Sequence, residues 1–444
     1  MSLIALLLAL AALVLAVLDL RLAAACLVLA AAFGVAALLR GHWVGLGRVA
    51  LAVATVAALL TAWETWERHR SPAGAPPVAS AQGAAHEHSG EDREVVLPFT
   101  VRRAPITRLA LLEFTPDADP IYEGLEPQFM DRGHERGIRV IAYRRDGHVD
   151  FYDDLTLTPE PDEASRVTGK GLLHYSHTDL GSPVLERDDE GRAHITVAFT
   201  DVQGRPIDVA IHETTSRESV PLNLLAPVGL SSTDPEYFPL FLLRGFDFIR
   251  LRGTELDVTV DGHPVALTDF PAPVPVQGQF RSFAKYAEQA EILEVFPTAD
   301  TSLRRVRTNG DAFTEGSTTY LFDGPHLERI LSGSTEIEFA PALDLTGGST
   351  SRTGSVTFTS RPELGRIAGT YETRPGPLPQ GATTLLTIAV DTVTPPRQRG
   401  LLYRLIVSDS SMFARWPTAY RYEASIDHAA GTTAARWTNQ RPGG

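Results

Sequence analysis

Val140-Ile141-Ala142-Tyr143-Arg144-Arg145-Asp146-Gly147-His148-Val149-Asp150-Phe151 decides how the chain folds. Polar and apolar residues alternate on either side of Asp146-Gly147, a two-residue turn signal, so the segment is predicted as a β-hairpin. The same pattern returns in Glu255–Leu267 around Asp261-Gly262 and in His194–Thr214 around Gln203-Gly204. Thr335–Phe339, Ser355–Thr359, Ala368–Thr373, Thr383–Val390, Leu401–Val407 and Ala419–Ile426 are further strand candidates. Turn signals recur every ~8–15 residues, a spacing that suits antiparallel sandwiches or barrels rather than βαβ units. Helix is scarce in this region. Phe283–Val295 is the best helical candidate, and Leu240–Leu251 reads as a buried strand or a short helix.

The start of the chain is different. Residues 1–62 carry only Asp19, Arg21, Arg40 and Arg48, leaving the rest of the 444-residue chain to hold more than the whole net charge of -14. Met1–Leu18 and Leu22–Leu39 are unbroken apolar runs, and Val49–Trp63 is a third. Eighteen residues of helix span roughly 27 Å, the hydrocarbon thickness of a bilayer. The expectation is a membrane anchor over 1–66 with three transmembrane helices. Arg40, His42 and Arg48 place the second loop in the cytoplasm, so the expected location is the cytoplasmic (inner) membrane, multi-pass, with the C-terminal domain extracytoplasmic. Cys26 is the only cysteine, which excludes an intrachain disulfide and a thiolate zinc site.

Residues 67–94 read as a flexible linker, beginning near Ser-Pro-Ala-Gly-Ala-Pro-Pro and containing His86-Glu87-His88. Two β modules follow, 95–290 and 291–444. The fold class expected from this division is an all-β soluble region of antiparallel barrels or sandwiches, with two tandem lipocalin-like modules as one form, after an N-terminal α-helical membrane anchor. A weak internal echo favours the tandem. Val197-Ala198-Phe199-Thr200 precedes Gly204-Arg205 and Ile207, and Val356-Thr357-Phe358-Thr359 precedes Gly365-Arg366 and Ile367. No lipocalin strand signature accompanies it, since Trp416 and Trp437 of the body both lack a Gly-x-Trp setting.

Chemistry is sparsely signalled. The acidic balance argues against nucleic-acid binding, which needs a basic surface to displace counterions. No Gly-x-Ser-x-Gly elbow, phosphate loop or His-Glu-x-x-His helix occurs. The densest cluster is His174-Tyr175-Ser176-His177-Thr178-Asp179, from which His174, Tyr175, His177 and Asp179 are the catalytic candidates. On a strand, His174 and His177 would face opposite sides. Asp153 and Asp154 would likewise point apart. Asp117, Asp119, Glu123, Glu126 and Asp131 read as an acidic loop without the Ca²⁺-loop spacing. No metal and no cofactor is expected. Residues 224–230 and 238–243 are apolar enough for core, for a ligand cavity or for membrane contact. Residues 395–444 carry seven arginines among aromatic residues, a pattern for a sheet surface or for resting on anionic headgroups.

The expected partners are the lipid bilayer through residues 1–66 and a lipophilic small molecule or a membrane-protein partner. The expected function is non-catalytic binding of a lipophilic ligand or organisation of an envelope partner. The alternatives are a hydratase- or isomerase-type enzyme on an apolar substrate, and an accessory subunit of a membrane protein complex.

Overall fold

The structure is a computed structural model that describes residues 91–168, 171–215, 222–226, 236–250, 253–269, 275–276, 279–361, 364–376, 382–394 and 420–439. Strands dominate. In the first half they are β1 (Val101–Arg103), β2 (Ile106–Glu113), β3 (Tyr122–Asp131), β4 (Arg136–Arg144) and β5 (Val149–Asp154). After helix α1 (Pro161–Thr168) come β6 (Leu172–Thr178), β7 (Val184–Arg187), β8 (Ala193–Thr200) and β9 (Pro206–Glu213). Next are β10 (Phe238–Arg250), β11 (Thr254–Val260), β12 (Gln279–Ala287) and β13 (Gln289–Val295). A large sheet runs β1-β13-β10-β12-β2-β3-β4-β5-β6, and a smaller one has β11, β9, β8 and β7 in that order behind the short strand His263–Pro264.

The two sheets form a sandwich. Ile138, Val140, Ala142 and Tyr152 of the large sheet meet Ile195, Val197, Phe199, Val209 and Val258 of the small one. Period-two alternation produces this, with every second residue of β8 and β9 buried. Pairing is antiparallel throughout the described strands, with β5 and β6 the exception: they run parallel, joined through α1. Pro161 begins the helix where its missing N–H costs nothing, and Asp162 and Glu163 sit in the first turn, where the helix dipole favours negative charge.

The second half is a continuous meander. Strands β14 (Ala312–Glu315), β15 (Thr318–Asp323), β16 (His326–Ser332), β17 (Thr335–Leu343), β18 (Arg352–Ser360), β19 (Arg366–Pro375), β20 (Thr383–Thr394), β21 (Tyr420–Asp427) and β22 (Thr432–Asn439) each pair with the next, and Ala299–Ser302 adds to β22. The sheet curves as a half-barrel. Its concave side closes over Phe238, Leu240 and Leu242 of β10 and Leu293 and Val295 of β13. Trp437 stacks on Phe238 with centroids 5.1 Å apart and donates from Nε1 to the carbonyl of Phe296 at 2.9 Å. The other face of β10 packs differently: Phe241 and Leu243 join Met130 and Ile292, while Ile249 joins the sandwich. The apolar stretch 238–243 is therefore core. Leu222–Ala226 pairs beside it, and 227–230 lie outside the described residues.

Several sequence expectations need correction. Phe283–Val295 is not helix but the end of β12 and all of β13. After Gln289 every residue of β13 is buried because the strand lies between two cores, so the stretch carries no polar/apolar alternation to read. Asp261-Gly262 does form the two-residue turn, with both residues at positive φ (53° and 72°) and Val260 paired to His263. Asp146-Gly147 instead belongs to a three-residue loop: Arg144 N–H donates to His148 O, and only Gly147 has positive φ. Asp146 stays out of that region because its carboxylate accepts the His148 N–H at 3.1 Å.

The expected anchor (1–66) and most of the linker, including His86 and His88, lie outside the described residues, as does Leu401–Val407. Glu94, placed at the linker's end by the sequence, is already paired with Arg307. The expectation of a multi-pass inner-membrane protein is overturned. The one described α-helix is 8 residues long, and among the described residues no helix is long and apolar enough to cross a membrane.

Candidate functional site

The parallel pair β5–β6 brings sequence-distant polar groups together. Asp150, fully buried, stands in register with His174, and Asp150 Oδ1 lies 2.9 Å from His174 Nδ1. Asp150 Oδ2 accepts from Arg144 Nη1 at 3.0 Å and from Tyr122 Oη at 3.0 Å. Tyr122 Oη is also 3.0 Å from Tyr152 Oη and 3.2 Å from Gln203 Oε1. Tyr152 Oη in turn accepts the Val202 N–H at 3.2 Å. Strand alternation explains the set, because Asp150 and Tyr152 share the sandwich face of β5.

The hairpin loop between β8 and β9 closes one end. Arg205 lies over the Tyr122 ring at 5.3 Å and pairs with Asp119 at 2.7 Å and Asp201 at 2.8 Å. Asp119 also accepts the N–H groups of Ile121 and Tyr122. Burial pushes the Asp119 carboxyl up, but the Tyr122 N–H and Arg205 outweigh it and hold it below its ordinary value. Burial, reinforced by the neighbouring Tyr152 and Asp150, pushes the Tyr122 phenol far above its ordinary value. Burial also raises Tyr152, to about 12, against the opposing hydrogen bond from Tyr122. Both tyrosines therefore stay protonated through the neutral range.

Chemically, this is a histidine oriented by a buried carboxylate. His174 is 42% exposed at its side chain and lies on the edge strand β6. Such a pair can accept or deliver one proton, provided a substrate reaches the edge.

The four candidates from the sequence are not brought together. His174 joins the Asp150 network. Tyr175 faces the other side, donating to Asp153 Oδ2 at 2.9 Å and accepting the Glu160 N–H at 3.0 Å. Burial, with Asp153 beside it, raises its phenol to about 12. His177 is exposed, and Asp179 caps the Gly181 N–H at 2.8 Å. Asp153 and Asp154 point apart, as alternation requires: Asp153 binds the buried Arg139 at 2.6 Å, whereas Asp154 accepts from Leu180 and Thr156. The acidic loop is a turn followed by β3, with Asp119 and Glu126 buried and far apart in role. Among the described residues no group of three or more His, Cys, Asp or Glu is set to hold a metal.

Sequence reading missed Asp150, Tyr122, Arg144 and Tyr152. One signal was present: Val149-Asp150-Phe151-Tyr152-Asp153-Asp154 puts carboxylates on both faces of a strand that turns out to be buried on both faces. A strand with polar groups inside must find partners for them.

Comparison of the chain with protein-family models, with curated proteins and with solved structures finds no match in any of the three.

Proposed function

We propose that the chain is a non-catalytic binding protein that organises a protein partner through its outer surface. The observation that carries this reading is the filled interior of the half-barrel. Trp437, Phe238, Tyr420, Tyr422 and Phe296 occupy the concave side, where a lipophilic ligand of a barrel would sit. Space lies instead on the convex side, in an open groove of about 460 Å³ lined by Arg374, Thr387, Glu423 and Arg436 from the sheet and by Asp300. Charged rims of both signs around small residues suit a polar segment of another protein more than an apolar molecule.

The same reading takes the two halves as lipocalin-like modules in tandem. The echoing hairpins support it, since Phe199 pairs with Ile207 and Phe358 pairs with Ile367. The second reading is an acid–base enzyme, favoured by the Asp150–His174 pair at the sheet edge.

A photo-crosslinking residue at Arg436 in the producing cell tests the main reading. The expected outcome is one discrete protein adduct, absent with the probe at the distant, exposed Arg361 and reduced several-fold by Arg374→Glu. Equal labelling from both positions, or none from Arg436, defeats it.

A further inference from the structure

The outer face of the small sheet carries a second polar arrangement, remote in role from the Asp150 network. Strand register sets Glu186 opposite His194, His194 opposite His212, and His212 opposite Glu255, a row across β7, β8, β9 and β11. Directly opposed residues on one face bring their side chains within reach of each other. His194 Nδ1 and His212 Nδ1 lie 3.3 Å apart. The other nitrogen of His194, Nε2, lies 3.0 Å from Asp188 Oδ2.

Asp188 is itself fixed. It accepts the N–H groups of Glu190 and Arg192 and the Arg192 Nε. A carboxylate that takes two backbone N–H groups and the Arg192 guanidinium is placed as an acceptor, so the His194 proton belongs on Nε2. The lone pair of Nδ1 then points at His212. Carboxylate, histidine and outward lone pair in this order are how proteins orient a metal-binding imidazole.

The spacing matches that role. Two ligand nitrogens at about 2.0–2.1 Å from a tetrahedral zinc ion are separated by roughly 3.3–3.4 Å. We infer that His194 and His212 form a two-nitrogen binding site for a divalent transition-metal ion of the zinc type, with Asp188 positioning His194. Glu186 and Glu255, both exposed, flank the pair in register, and water fills the remaining coordination positions. Imidazole nitrogens select zinc, copper or nickel over magnesium and calcium, which demand oxygen ligands.

Isothermal titration of the full chain with Zn²⁺ tests the site, with Mg²⁺ as the control ion. His86→Ala and His88→Ala are carried in every background so that the pair near the N-terminus contributes nothing. One equivalent of Zn²⁺ and no Mg²⁺ should bind. His212→Ala should weaken Zn²⁺ binding more than tenfold, and Asp188→Asn by roughly tenfold to a hundredfold. Thermal unfolding of each variant without metal shows whether it folds, and His194→Gln provides a second, near-isosteric removal of the same ligand. No Zn²⁺ binding by the parent chain, or equal binding by folded His212→Ala and His194→Gln variants, would overturn the site.

Discussion

The half-barrel and the sandwich hold their sheets together by opposite means. In the half-barrel β14 to β22 each pair with the next strand in sequence, and the concave side is aromatic and aliphatic. In the sandwich, no two neighbours along β1-β13-β10-β12-β2 are consecutive in the chain, and the large sheet buries charge: Arg139, Asp150 and Asp153 are fully enclosed. Apolar packing is non-directional and tolerates any side chain of similar volume. A buried ion pair stabilises only when each partner is present, because either one alone is an unpaired charge in a medium of low dielectric. The two halves should therefore fail in different ways.

The largest effects break each half at its centre. Arg139→Ala leaves Asp153 and Glu163 without the guanidinium that now lies 2.6 and 2.8 Å away, and should cost about 3–5 kcal/mol in denaturant unfolding. Trp437→Ala should cost about the same by leaving a cavity beside Phe238 and Tyr422. Repair separates the two cases. Replacing the whole polar cluster (Arg139→Met, Asp153→Leu, Glu163→Met and Tyr175→Phe) should restore the loss, with a net change between zero and about +4 kcal/mol. No such exchange of partners should restore Trp437→Ala.

A smaller effect concerns Glu126. Its carboxylate accepts from Tyr143 Oη and Gln128 Nε2, both at 2.7 Å, yet burial outweighs them and holds the acid above its ordinary value. The folded state therefore favours the neutral form. That stabilisation is complete below the ordinary carboxylate range and is lost as pH rises through the raised value. Glu126→Gln should flatten this decline in a series of unfolding curves from acid to neutral pH. An unchanged slope would show that Glu126 is ionised when folded.

The smallest effect sharpens the second reading of function. His174 is only partly covered, and Asp150 keeps Arg144 and Tyr122 when it is removed. His174→Ala should change stability by less than about 1 kcal/mol. A loss much larger than this would give the histidine a structural duty that leaves it little freedom for proton transfer.

The contrast also explains what the sequence made legible. Hairpins such as Thr254–Val260 with His263–Pro264 were readable because turn chemistry and alternation are local. In the meander the same signals pointed to β17, β18, β19, β20 and β21 but left β14, β15, β16 and β22 unread. The parallel β5–α1–β6 unit escaped because an eight-residue helix leaves too few turns for a periodic pattern. Asp150 escaped with it, since its partners Tyr122 and His174 meet it only through that crossover and through β3. The row of His194 and His212 was hidden for a similar reason: eighteen residues separate them, and only strand register makes them neighbours.

Strand β10 gives the molecule one further property. Phe238 and Leu242 belong to the half-barrel interior, Phe241 and Leu243 to the reverse side, and Ile249 to the sandwich. A chain threaded through three interiors cannot be severed into two self-sufficient pieces at its midpoint. Proteolytic nicks near residue 290 should release no stable fragment, and a change at Leu242 will be felt at both ends of the molecule. Whatever the kinship of its hairpins, the chain should unfold as one cooperative unit.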